Sequence, residues 1–364
     1  MNTSPGTQLG NLRVSSAAIP TGRPRATPFE DAITIVFGLW MLAGLFTDGF
    51  AHSNLRDSIE SFFTPWHAIL YSGFASAALW TTWLGFKHAR TGRRGLEAIP
   101  VGYELGIVGV IVFGLGGFGD MIWHTVFGIE VNIAALLSPT HLMLLIGGVL
   151  VGSSPLRSAW SSLPHRPSFL EFLPALVSST TTLATVAFFH MHLWGLGRLP
   201  DAKEWMFYVN DHALISVLAG TLFTNAILMT AVLLLLRRWI TPFGTFTVMF
   251  GATALGMGLL RGGVDSAFVA GLLTGLILDG LVQWLRPSAA RVWQFRALAV
   301  LAPLTIWGIH YLRTAFFRGG LNLEVEFWTG LLVMTMLSGL ALSVLVAPPS
   351  VPAHLEPQVG PAGD

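Results

Sequence analysis

The chain contains no cysteine among its 364 residues. This absence excludes a disulfide framework, a thiolate metal site and a cysteine nucleophile. Any metal ion would therefore be held by histidine and carboxylate side chains. Charged residues are also scarce, at 11% of the chain with a formal net charge of +1. No basic stretch interleaved with aromatic residues is present, so we expect no nucleic-acid partner.

Hydrophobic residues, in contrast, make up 53% of the chain, and its mean hydropathy is +0.65, which lies outside the range of soluble proteins. A membrane-spanning helix needs about 20 mostly apolar residues. Ten such segments lie at about residues 30–50, 66–87, 104–125, 135–154, 170–193, 211–236, 241–260, 265–285, 297–317 and 325–346. The 40 glycines favour close helix packing over a β-barrel. We therefore predict an all-α, polytopic transmembrane bundle of about ten helices.

The two ends of the chain differ from this apolar middle. Residues 1–29 are polar, contain four prolines and lack the apolar stretch of a signal peptide, so we predict a disordered cytoplasmic tail. Residues 347–364 form a second disordered tail. Between the tails we expect a four-helix metal-binding half over residues 30–154 and six further helices over residues 155–346. Most Lys and Arg residues fall on one side of this topology, which places both termini in the cytoplasm and the chain in the cell (inner or plasma) membrane.

Histidines concentrate at the opposite, extracytoplasmic ends of the predicted helices, where eight of the 11 fall. Ionisable side chains within spanning segments are costly and usually mark function. The outer third of the bundle is therefore where we expect a site.

One pattern occurs twice in this region. Residues 48–73 contain Asp48-x-x-x-His52, Thr64-Pro65-x-His67, Leu70 and Gly73, and residues 120–147 contain Asp120-x-x-x-His124, Ser138-Pro139-x-His141, Leu144 and Gly147. An Asp and a His four residues apart share one helical face, and a proline is tolerated in the first turn of the next helix. The second His of each copy should therefore point back at the Asp/His pair. Two imidazoles and one carboxylate can hold copper, iron or zinc and leave positions free.

Other histidines allow a simpler interpretation. A single His near a helix end is usually an interfacial or hydrogen-bonded residue, and this interpretation stays open for His190, His192, His212 and His310. His190 and His192 point about 200° apart on a helix, so both reach one metal only if the helix has ended there. Asp211 beside His212 could orient a ligand histidine.

Further along the chain, Arg261 and Asp265 flank a Gly-Gly break, which predicts a mutual ion pair. His310, Arg313, Glu324 and Glu326 are predicted to complete an outward-facing polar rim. Asp279 and Gln283 lie toward the cytoplasmic end, and the sequence assigns them no role.

The duplicated motifs resemble the C subunit of the copper membrane monooxygenases, the particulate methane and ammonia monooxygenase family. The residues that carry the resemblance are Asp48, His52, Arg56-Asp57, Phe63-Thr64-Pro65-Trp66-His67 and Tyr71, followed by Asp120, His124, Glu130, Pro139 and His141. It covers about residues 44–148. Asp120 stands where the family has Asn, and this chain has more helices.

The resemblance implies one copper site at Asp48, His52 and His67 and a neighbouring one at Asp120, His124 and His141. Accessory candidates are Arg56, Asp57, Glu130, His190, His192, Asp211 and His212. It also implies companion membrane or periplasmic copper-protein subunits, while the lipid bilayer is a partner in any case. Iron, zinc and a homo-oligomer stay open, and no catalytic residue is assigned.

Three classes of function compete on this evidence. One is a copper-dependent membrane oxidoreductase that acts on a small hydrophobic substrate such as an alkane or alcohol. A second is a non-catalytic protein for copper handling or sensing. The third, a transporter, is disfavoured because the ionisable residues gather at one face instead of following a path through the bilayer.

Overall fold

The computed structural model describes residues 22–55, 62–128, 133–197, 211–321 and 323–348. These residues form helices and connections without a β-strand. The helices are α1 (Pro28–Asn54), α2 (Pro65–Ala89), α3 (Glu104–Phe127), α4 (Ala134–Leu137), α5 (Pro139–Gly152), α6 (Ser154–Ser162), α7 (Phe169–Phe189), α8 (Asp211–Arg238), α9 (Thr245–Leu260), α10 (Ser266–Leu285), α11 (Val292–Arg318) and α12 (Val325–Val346), with a short 3-10 helix at Gly95–Ala98.

All ten predicted segments coincide with helices of the described chain. Eight stretches are long and apolar enough to cross a membrane, with α5 and α6 counted as one stretch over Pro139–Ser162. The other two segments are α2, with 25 residues, and α9, with 16. The prediction of an all-α, multi-pass membrane bundle is confirmed. Which membrane it spans and which side its termini face stay predictions.

The fourth predicted segment differs in its bounds. It begins at Pro139 instead of about residue 135, and it continues through a break at Ser153 to Ser162. Pro155 explains the break, because proline has no N–H to continue the helical hydrogen-bond ladder.

Glycines allow the first helices to pack backbone against backbone. A Cβ atom on Gly44 of α1 would lie 2.5 Å from the Leu70 Cα in α2, and one on Gly73 would lie 2.7 Å from the Met41 nitrogen. In the α3/α5 pair, a Cβ on Gly147 would lie 2.6 Å from the Phe113 nitrogen. Small residues permit such close crossings in membranes. Each hairpin therefore holds its polar end in a fixed position.

Helix α7 joins the two halves of the described bundle. It packs against α1, α5 and α6 on one side and against α8 and α9 on the other. The core of the second half contains large, fully buried side chains, including Phe172, Trp239, Phe246 and Phe295. A smaller apolar cluster, which includes Met41, Leu70, Phe113, Leu144 and Phe188, lies where α7 meets the two hairpins.

Asp279 has a structural role that the sequence does not reveal. Its side chain, which is 1% exposed, accepts hydrogen bonds from the backbone N–H groups of Phe246 and Thr247, each at 3.0 Å, and from the Thr247 hydroxyl at 2.7 Å. A carboxylate from α10 thus satisfies free donors at the start of α9. Gln283, one turn later, donates to the Thr241 carbonyl at 3.1 Å.

Candidate metal centre

The first Asp/His/His set comes together at one end of the α1/α2 hairpin. Asp48 and His52 lie in the last two turns of α1, and His67 lies in the first turn of α2. The Asp48 Oδ1 atom is 3.3 Å from His67 Nε2 and 3.8 Å from His52 Nε2. We call these three residues the first triad. As predicted, the second histidine points back across the hairpin.

The second set forms in the same way between α3 and α5. Asp120 and His124 lie near the end of α3, and His141 lies in the first turn of α5. The Asp120 Oδ1 atom is 3.5 Å from His124 Nε2 and 3.4 Å from His141 Nδ1. We call these residues the second triad. In each triad, one potential ligand atom per residue lies within 4.8 Å of the other two.

Every repeated element of the motif has a place in this geometry. Thr64 and Ser138 cap α2 and α5 and accept hydrogen bonds from the N–H groups of His67 and His141. The prolines that follow them occupy the first helical turn. Gly73 and Gly147 are the crossing points of the two hairpins. The motif therefore encodes both the start of a helix and its contact with the helix before it.

The two triads use different nitrogens of the second histidine. His67 Nδ1 donates to the Phe62 carbonyl at 2.5 Å, which leaves Nε2 facing Asp48. In the second triad, Nδ1 of His141 faces Asp120 and also lies 2.7 Å from the Ser138 hydroxyl. Hydrogen bonds to the other ring nitrogen fix the orientation of ligand histidines, so the two sites are not copies at the atomic level.

Both triads line one cavity of about 320 Å³. The rings of His67 and His124, one from each triad, have centroids 6.3 Å apart. The rest of the wall is mainly apolar. It includes Leu70 and Leu144 from the repeated motifs, together with Phe113, Phe188, Phe189 and Met191. Two polar clusters therefore share one largely apolar cavity.

The distances from each carboxylate to its two imidazoles are compatible with one bound metal ion. Ligand atoms that bind one ion at 2.0–2.1 Å in tetrahedral geometry lie about 3.3 Å from each other, and the four carboxylate–imidazole distances given above range from 3.3 to 3.8 Å. In addition, the Asp48 Oδ1 atom is buried and has no hydrogen-bond partner among the described residues. Buried polar atoms normally have a partner, and a cation would provide one.

Two hydroxyl groups donate hydrogen bonds to the Asp120 carboxylate of the second triad. Thr140 donates to Asp120 Oδ1 at 3.3 Å, and Tyr71 donates to Asp120 Oδ2 at 3.5 Å. Sequence reasoning missed Thr140, although its position between Pro139 and His141 in a helix start is a usable signal. Phe62 is also new: its ring centroid is 4.7 Å from that of His67 and 6.2 Å from that of His124.

Helix α7 ends at Phe189, as a shared site for His190 and His192 would require. The two histidines nevertheless separate. His190 Nδ1 donates to the Val186 carbonyl at 2.7 Å, and the ring lies beside Phe223, with centroids 5.0 Å apart. His190 does not line the cavity that the triads share. His192 lines the cavity, as does Met191. Of this pair, only His192 remains a candidate for a role in the site.

The other accessory candidates cannot be placed. Arg56, Asp57 and Glu130 lie outside the described residues. Asp211 and His212 begin α8, but their side chains also lie outside the description.

The prediction of an outward-facing polar rim is wrong for two of its four residues, His310 and Arg313. Glu324 and Glu326 are exposed, whereas His310 is 7% and Arg313 is 8% exposed. Both residues lie on the buried face of α11, because packing of α11 against α8, α10 and α12 covers this end of the helix. The predicted ion pair is confirmed, with Arg261 Nη2 2.6 Å from Asp265 Oδ2.

A comparison of the chain with protein-family models, curated proteins and solved structures finds no match. The resemblance to the monooxygenase C subunits therefore depends on the duplicated motifs alone.

Proposed function

We propose that this chain is an integral membrane copper protein that oxidises a small hydrophobic substrate. The observation that carries the proposal is the meeting of two Asp/His/His triads in one mainly apolar cavity. Neither a simple ion pair nor a structural histidine calls for two such sets to face the same space.

Copper is favoured among the metals that suit this ligand set. Imidazole and carboxylate ligands also hold iron and zinc, so the donor atoms alone leave the choice open. Two further features support copper. The duplicated motif resembles that of the copper membrane monooxygenases, and the thioethers of Met41 and Met191 line the cavity, where a soft sulfur ligand suits Cu(I).

The apolar wall of the cavity favours the oxidation of an apolar molecule over the storage of copper. Pockets for small molecules combine apolar walls with a few polar groups that fix orientation. Here Leu70, Leu144, Phe113 and Phe188 would bind an alkane or alcohol by burying its surface. Copper, when bound, would supply the redox chemistry. The two aspartates would offset the charge of the ions inside this mainly apolar cavity.

Metal content is the first test. In purified protein reconstituted in lipid, elemental analysis should find two copper ions per chain. His52→Ala and His124→Ala should each remove one ion, and the double variant should bind none. His190→Ala is the matched control, because that histidine is at the same end of the bundle but bonds to backbone outside the cavity. Wild-type copper in the double variant would reject the proposed sites.

Catalysis needs a separate test. Cells that lack the gene should lose growth on, or oxygen uptake with, one of a panel of short alkanes, alcohols and ammonia, and His52→Ala should not restore it. Unchanged growth on every member of the panel, with copper still bound by the purified protein, would instead favour copper handling or sensing. Adjacent genes for companion monooxygenase subunits would support the enzyme, whereas a neighbouring periplasmic copper chaperone would support handling.

A further inference from the structure

A second, smaller cavity lies among α9, α10 and α11 and has a volume of about 40 Å³. No triad residue lines it. Its polar wall includes Arg261, His310 and Arg313, and most of the remaining wall is apolar. Ionisable residues in the interior of a membrane protein are rare and usually functional, so this concentration of basic groups requires an explanation.

Arg313 is the central observation. It lies in the spanning helix α11, only 8% of it is exposed, and its Nε atom is buried without a hydrogen-bond partner in the described part of the chain. A guanidinium group cannot lose its charge in a protein. A buried donor without a hydrogen-bond partner is unfavourable, and more so on a charged group. An acceptor that is not among the described side chains would remove this cost.

The nearby carboxylate is already engaged. Asp265 Oδ2 accepts from Arg261 at 2.6 Å, and Asp265 Oδ1 accepts from the Ala267 N–H at 2.8 Å. Asp265 itself does not line the cavity, and among the described residues no acidic side chain does. Among the described residues, two guanidinium groups thus share the influence of one carboxylate, which leaves an excess of one positive charge in this part of the chain.

His310 adds a second donor on the same side. It lies three residues before Arg313 in α11, so the two side chains share one helical face. His310 is 7% exposed, and its ring is held beside Trp307 and Tyr311, with centroids 5.6 and 6.1 Å away. It also lines a third cavity, of about 170 Å³, next to Trp307 and Tyr311.

We propose that Arg313 and His310 bind a small, planar, monovalent oxyanion, of the class formed by formate, acetate and bicarbonate. The charge excess calls for one negative charge. The planar fork of a guanidinium group matches two oxygens on one carbon. A cavity needs about 10–15 Å³ of such volume for each water molecule, so the available 40 Å³ suits an anion of three or four heavy atoms. Phosphate is too large and too highly charged.

Calorimetric titration of the full chain in lipid nanodiscs tests this proposal. Formate, acetate and bicarbonate are the probes, benzoate is the oversized control, and a bulky sulfonate holds the ionic strength constant. We expect saturable binding of one small anion per chain and none of benzoate. Arg313→Met should weaken binding at least tenfold, and Arg313→Lys should weaken it less. Arg318→Met is the matched control, because Arg318 is on the same helix but exposed, and it should bind like the wild type.

Several results would overturn the proposal. They are the absence of saturable binding to wild-type protein, equal binding by Arg313→Met, and binding that appears only in an Asp201→Asn, Glu204→Gln variant. The last result would mean that a carboxylate of the chain itself, from a segment outside the described residues, occupies the cavity. Circular dichroism of each variant establishes that it is folded, and the wild-type titration decides the matter even if Arg313→Met does not fold. None of these measurements depends on bound copper.

Discussion

Thr140 provides a selective perturbation of the second triad. Its hydroxyl donates to Asp120 Oδ1 at 3.3 Å, and its side chain is buried between α3 and α5. Thr140→Val removes the hydroxyl and keeps nearly the same shape. The carboxylate then loses a hydrogen bond that holds its orientation, while all three proposed ligands remain. Thr140 is thus a positioning residue under the proposed copper function.

The expected loss follows from the length of this hydrogen bond. Removal of a group that orients a metal ligand usually lowers metal affinity by about 10- to 100-fold. A hydroxyl-to-oxygen hydrogen bond is normally 2.5–3.0 Å long, so the 3.3 Å contact belongs near the weaker limit. We therefore expect about a tenfold loss of copper affinity at the second triad, which corresponds to about 1.4 kcal/mol. The first triad has no contact with Thr140 and should keep its affinity.

Competition with a chromophoric Cu(I) chelator measures this effect. The titration is performed in a His52→Ala, His67→Ala background, where only the second triad remains, and in a His124→Ala, His141→Ala background, where only the first remains. Thr125→Val is the control, because the Thr125 hydroxyl bonds to the Met121 carbonyl on the same helix. A change below twofold in the first background, or an equal loss in both, would refute the assignment of Thr140.

Two further predictions concern the stability of the bundle. Asp279→Ala should lower the free energy of unfolding by about 3 kcal/mol, because it leaves buried N–H groups at the start of α9 without an acceptor. Detergent-induced unfolding followed by circular dichroism measures this free energy. Asp279→Asn should lower it by less. For Asp265, burial raises the carboxyl pKa, but hydrogen bonds from Arg261 and the Ala267 N–H outweigh it and hold that pKa below its usual 3.8. The ionised Asp265 carboxylate therefore stabilises the fold above that pH, and this contribution is lost as the pH falls through the lower pKa. Asp265→Asn should be less stable than wild type at about pH 7 and equal to it in strong acid. A constant difference in stability across this pH range would contradict the reasoning.

Local sequence rules predict the hairpins well. Long apolar runs locate the ten helical segments, since length and composition alone decide whether a helix can span a membrane. The four-residue spacing of Asp48 and His52 places both on one helical face, and Pro65 marks the start of the next helix. These rules involve neighbours in sequence, so they remain valid without knowledge of the tertiary structure.

Features that depend on contacts between distant segments could not be predicted. The sharing of one cavity by both triads needs α7 to close the space between the hairpins. The divergence of His190 and His192 depends on the backbone conformation after α7 ends. The burial of Arg313 results from helices that pack around α11. An apolar run in the sequence shows where a helix lies, but not which other helices pack against it.

The hairpins alone do not account for the charged residues at their ends. Closure of each hairpin needs a hydroxyl cap, a proline and a glycine at the crossing point, all of which are small or local features. Asp120 accepts one hydrogen bond across its hairpin, from Thr140, whereas the Asp48 Oδ1 atom accepts none from the described residues. Buried carboxylates are costly in a membrane, and Asp48 Oδ1 keeps that cost without a described hydrogen bond in return. The same costly group appears at the same place in both hairpins, and this recurrence supports the proposed binding of a cation there.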